Sequence, residues 1–78
     1  MDYDEIMCLV RNEVLTAKEK HPLWPHDIIH QAAIVGEEAG ELIQATVQHV
    51  YEGGDVHNIQ TEAVHTIATC VRLLEAME

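Results

Sequence analysis

The stretch Gly36-Glu37-Glu38-Ala39-Gly40-Glu41-Leu42 sets three carboxylates among residues that otherwise read as an apolar helix. At 100° per residue, Gly36 and Gly40 fall on one face and Glu38 and Glu41 on the opposite one. Extended outward, the glycine face takes in Ile29, Ala33, Ile43, Val47 and Val50. This periodicity predicts a helix from about Ile28 to Glu52, ended by Gly53-Gly54 and capped by Asp27. Each glycine costs about 1 kcal/mol of helix propensity against Ala. Close approach of another helix backbone is the expected compensation. Ile34 and Ala45 lie around the carboxylates, so the helix is apolar on more than one side.

Two further helices are expected. One runs from about Asp4 to Lys20, with Ile6, Met7, Val10, Val14 and Ala17 at helical spacing, and Pro22 stops it. The other runs from about Val56 to Ala76 with Asp55 as cap. Its predicted apolar stripe is Val64, Ile67, Val71 and Leu74; Glu62, His65, Thr69 and Arg72 form a polar stripe. His21 to Asp27, with Pro22 and Pro25, is a connector. No segment reads as a strand. The expected fold is all-α: one domain spanning 1–78, a three-helix subunit that completes a four-helix-type bundle by oligomerisation. Pairing of the glycine face or sharing of the acidic groove would build a symmetric dimer.

Composition narrows the partners. The 78 residues carry a formal charge of −10, with only Arg11, Lys18, Lys20 and Arg72 as strong bases. Binding to a phosphate backbone needs clustered cations, so no nucleic-acid partner is expected. No run is long and apolar enough for a membrane span. Cys8 and Cys70 show no paired spacing, which points to small core hydrophobes in a reduced, cytoplasmic setting. The core must come from Ala, Val, Ile, Leu and Met, because the chain has no Phe.

Glu38 and Glu41 repel one another unless solvated or neutralised. Hard divalent cations suit oxygen ligands, and Mg²⁺ is commonly held by few carboxylates plus water and substrate phosphates. Glu62 and His65 repeat the i, i+3 spacing on the third helix, so Glu-x-x-Glu can face Glu-x-x-His across one site. A solvated acidic face is the alternative. Glu37 lies off the stripe.

Glu38-x-x-Glu41, a spacer of 20 residues and Glu62-x-x-His65 together resemble the signature of the MazG-like nucleoside triphosphate pyrophosphohydrolases. The Pro22-Leu23-Trp24-Pro25-His26-Asp27 approach to the acidic helix is similar to theirs as well. The likeness is to short single-domain members, including phage-encoded ones, and spans about Pro22 to Leu74. It implies an all-α fold, assembly at least as a dimer, and Mg²⁺-dependent cleavage between the α and β phosphates. A nucleoside triphosphate, NTP or dNTP, would yield a monophosphate and pyrophosphate. By match of motif, Glu38, Glu41 and Glu62 would be metal ligands, with Glu38 or Glu41 orienting the attacking water.

Position 65 departs from the pattern, with His where the family has Asp. Imidazole suits Mn²⁺, Zn²⁺ or Ni²⁺ better than Mg²⁺. A different metal, a single-metal site, a remnant that binds without turnover, or a ligand from elsewhere would each account for it. If His65 joins the site, the metal set is Glu38, Glu41, Glu62 and His65. Arg72 is the best-placed cation for the leaving pyrophosphate, with Lys18 and Lys20 as alternatives across a dimer. Trp24 either stacks on a base or plugs the core under the connector. His26 and His30 have the i, i+4 spacing of a metal pair but lack the intervening Glu of a zincin.

Overall fold

The computed structural model describes residues 1–77. It contains α1 (Tyr3–Lys20), α2 (Ile28–Glu52) and α3 (Val56–Ala76), and no strand among the described residues. None of these helices is long and apolar enough to cross a membrane.

The boundaries follow from capping chemistry. The carboxylates of Asp2, Asp27 and Asp55 accept from the backbone N–H groups of Glu5, Ile29 and His57, supplying partners that the first helical turn lacks. Helix α2 stops where Gly53 takes a left-handed conformation, φ 72°. The N–H groups of Gly53 and Gly54 then both turn back to the Gln48 carbonyl, the latter at 2.9 Å, giving an otherwise orphaned helix-end acceptor its partners. A Cβ on Gly54 would come within 3.1 Å of the Gln48 backbone, so both positions favour glycine. The His49 ring Nδ1 donates to the Gly54 carbonyl at 2.8 Å and tightens the same turn.

Helix α3 is central. It packs against α1 on one side and α2 on the other, while α1 and α2 do not pack together. Val10, Val14 and Ala68 form the buried core between α1 and α3, with Ile6, Met7, Val64 and Val71 against it. On α2 the inward positions are Gln31, Ile34, Val35, Glu38, Ala39, Leu42 and Ala45, a stripe at helical spacing. The carboxylate face of α2 is therefore the one that meets α3.

The stripe Glu62–His65–Thr69–Arg72 turns inward, with Arg72 only 8% exposed. Other expectations about faces are corrected: of the apolar stripe expected on α3, Ile67 and Leu74 face out. Val64 and Val71 do pack inward. Among the described residues no helix approaches Gly36 or Gly40, and a Cβ at either would meet nothing within 4 Å. Their face stays open, with Ile29 73%, Ile43 64% and Val50 62% exposed. Cys8 is exposed and Cys70 half-buried, so Cys8 is no core residue.

Three helices in this order leave the structure open. The Cα radius of gyration is 13.3 Å, against about 11.5 Å for a compact chain of this length. The strictly buried apolar set is small: Val10, Val14, Ala45 and Ala68.

Candidate metal and nucleotide groove

A concavity runs along α3 between α1 and the start of α2. It has a volume of about 590 Å³ and is lined by acidic, basic and aromatic groups together. Glu13, Glu38 and His65 stand in one part; Lys20, His30, Arg72 and Trp24 stand elsewhere along its wall.

His65 organises the acidic part. Its Nδ1 lies 3.5 Å from Glu62 Oε2 and 3.8 Å from Glu38 Oε2. Its Nε2 lies 3.5 Å from Glu13 Oε1 on α1. Glu38, Glu62 and His65 each offer one ligand atom, and these atoms lie within 4.8 Å of one another. Glu38 Oε2 and Glu62 Oε2 are both shielded from solvent without a hydrogen-bond partner among the described residues. Two carboxylate oxygens left so would be costly if uncompensated. The Glu38 carboxyl is held above its usual range, first by burial and then by the charges of Glu41 and Glu62, against the opposing pull of His65. Oxygens without partners beside an imidazole nitrogen fit a divalent cation in their chemistry.

Glu38, Glu62 and His65 are thus brought together as the spacing predicts. Glu41 is exposed, its charge one of those that hold the Glu38 carboxyl up, and it lies outside the three-residue ligand group. Glu13 was not among the residues singled out from the sequence. It is one charged residue on an amphipathic helix, and no local pattern marks it; only the docking of α1 on α3 brings it to His65.

Trp24 and Arg72 face each other. The guanidinium carbon is 4.5 Å from the centre of the Trp24 ring, the geometry of a cation–π contact. Arg72 also donates to the His21 carbonyl at 2.9 Å. From the other side, buried Gln31 donates to the Pro25 carbonyl at 2.8 Å. The connector is therefore tied to α3 at its start and to α2 near its end. Lys20 lines the groove within the same chain, whereas Lys18 pairs with Glu75 at 3.0 Å. His30 reaches the groove wall; His26 does not join it.

In comparisons with known proteins the chain matches no family model and shows no significant similarity to a curated protein or a solved structure.

Proposed function

We propose that this chain is a MazG-like, metal-dependent nucleoside triphosphate pyrophosphohydrolase, converting an NTP or dNTP to its monophosphate and pyrophosphate. The observation that supports it most directly is the shared groove. Glu38 and His65, two of the three residues suited to a cation, line the same cavity as Trp24, Arg72 and Lys20. A triphosphate with its metal needs both kinds of surface.

Glu38, Glu62 and His65 would hold the cation, Mg²⁺ or Mn²⁺. When bound, it neutralises phosphate charge and lowers the pKa of a coordinated water. Glu41, exposed beside Glu38, takes the proton from the attacking water. The water oxygen bonds to the α-phosphorus as the bond to the bridging α–β oxygen breaks, and pyrophosphate departs with both electrons of that bond. Arg72 and Lys20 offset the charge that develops on the leaving group. Trp24 provides an aromatic surface for the base.

A second reading is favoured by the surroundings of His65. Both its ring nitrogens face carboxylates, and Glu41 lies outside the ligand group. That arrangement also suits a protein that binds nucleotide or metal with lost or altered catalysis. Pyrophosphate release across a panel of NTPs and dNTPs, with Mg²⁺ and then Mn²⁺, tests the enzyme. Release with neither ion, alongside a nucleotide-induced rise in melting temperature, would leave the binding protein. Neither response would end both readings.

Self-association belongs to the same proposal. The open face of α2 is symmetric in sequence: Gly36 and Gly40, Ala33 and Ile43, and Ile29 and Val47 sit two, five and nine residues either side of Glu38. A second copy packed antiparallel would set each member of a pair against the other, as a two-fold interface requires. The two helices would cross closest at the glycines. Glu38 points to the far side of α2, so each groove would stay clear of the axis. Sedimentation equilibrium tests this, a dimer being expected at micromolar concentration and a monomer overturning it.

A further inference from the structure

Glu13 is held where it is by the core. Val10 and Val14 fix the rotation of α1 against Ala68 of α3. Glu13, a neighbour of Val14 in sequence, lines the groove described above and also a smaller one of about 320 Å³ between α1 and α3. His65 is the other residue common to both grooves that comes within ion-pair distance of it. The Glu13–His65 pair is thus a partition between two cavities. One edge of the imidazole faces α1 and the other faces the Glu38 and Glu62 oxygens.

An imidazole can present a lone pair to a cation through one nitrogen only when its proton resides on the other. Histidines that ligate metals commonly give that second N–H to a carboxylate, which fixes tautomer and ring orientation and raises ligand basicity. Here the carboxylate on the Nε2 side is Glu13, 3.5 Å away. The nitrogen facing the ligand oxygens is Nδ1.

We propose that Glu13 is the positioning residue of this site: it commits the His65 Nε2–H to α1, aims the Nδ1 lone pair between Glu38 and Glu62, and so makes the site select Mn²⁺ or Zn²⁺ over Mg²⁺. The inference rests on the reading of the groove as a cation site and adds a residue and a selectivity to it. The selectivity follows from the donors. Two carboxylates and one neutral imidazole carry less negative charge than an all-carboxylate set, and nitrogen is a ligand that later divalent ions accept more readily than Mg²⁺. It also couples the docking of α1 to the cation, because the group that orients His65 comes from a different helix.

The test compares wild type with Glu13→Ala and Glu13→Gln. Mg²⁺, Mn²⁺ and Zn²⁺ are titrated separately by calorimetry, and long-range ¹H–¹⁵N spectra of the zinc-loaded protein read the His65 ring. Wild type is expected to show the proton on Nε2 and a zinc-shifted Nδ1. Glu13→Ala should lose roughly 10- to 100-fold in Mn²⁺ and Zn²⁺ affinity while Mg²⁺ affinity changes little. Glu13→Gln, whose amide oxygen still accepts from Nε2–H, should recover part of the loss. The His65 ring signals distinguish this site from zinc held by the other histidines. If wild type binds the ions through His65 but Glu13→Ala leaves selectivity and tautomer unchanged, or weakens all three ions equally, the positioning role is wrong and the cation site stands. If wild type binds no divalent ion at His65, the site itself falls and Glu13 with it.

Discussion

Arg72 lies over the Trp24 ring at 4.5 Å and at the same time donates to the carbonyl of His21, 51 residues away in sequence. One buried side chain thus joins α3 to the connector and covers a ring that also lines the groove. Replacing Arg72 with Ala should remove a cation–π contact and a charged hydrogen bond. A loss of about 2–4 kcal/mol is expected, read by urea unfolding. Arg72→Lys should recover less than half of it, because an ammonium lacks the planar fork. Trp24 is the sole tryptophan, so its fluorescence should shift to the red in both variants. Unchanged emission and stability would mean that the stack contributes nothing.

The raised Glu38 carboxyl has a consequence for stability in the absence of metal. Its folded-state pKa lies above the ordinary 4.5, chiefly through burial and then through Glu41 and Glu62. The folded state therefore holds this proton more tightly than the unfolded chain. The associated stability is fully present below pH 4.5 and is lost as pH rises through the folded-state value. Metal-free protein should lose stability over that interval, and Glu38→Gln should flatten the loss and raise the melting temperature by a few degrees at pH 7. Melting followed by circular dichroism in the presence of a chelator checks this. A variant less stable than wild type at pH 7 would show the carboxylate to be well compensated.

Gly36→Ala and Gly40→Ala separate the subunit from its assembly. Neither Cβ meets anything among the described residues, so a monomer should gain about 1 kcal/mol per substitution from helix propensity. In an antiparallel pair the added methyls would force the helices apart. The expected outcome is weaker dimerisation, at least tenfold for the double variant by sedimentation, with helicity retained. Stabilisation without any change in mass would argue that the face is simply solvated.

His65→Asp restores the residue of the family that the motif resembles. An added carboxylate should raise Mg²⁺ affinity and narrow the preference for Mn²⁺ or Zn²⁺. Any Mg²⁺-dependent pyrophosphate release should rise with it. Equal Mg²⁺ affinities in wild type and variant, measured by calorimetry, would place His65 outside the site.

Helix extents were legible because their signals are local. Asp27, Asp55 and Gly53 act within a turn of themselves, and the bounds Ile28–Glu52 and Val56–Ala76 follow from them. The alignment of Glu62 with His65 was legible for a similar reason, since i, i+3 spacing places them along one helix, but the same spacing did not bring Glu41 into the group with Glu38. What the periodicity left open was which face of each helix turns inward. Helix α2 is apolar on two sides, and its pattern alone does not rank Ile29–Ile43–Val50 against Ile34–Leu42–Ala45.

By itself, the sequence determined three capped helices, a connector held out of helix by Pro22 and Pro25, and carboxylates in register on two of the helices. Only the tertiary structure decided that α3 lies between the other two, that the polar stripe with Arg72 faces in, and that Glu13 reaches His65. Capping and turn preferences depend on atoms a few bonds apart. The meeting of Glu13 with His65 depends on how Val10, Val14 and Ala68 interlock across two helices, a contact between residues more than 50 positions apart that no local pattern encodes.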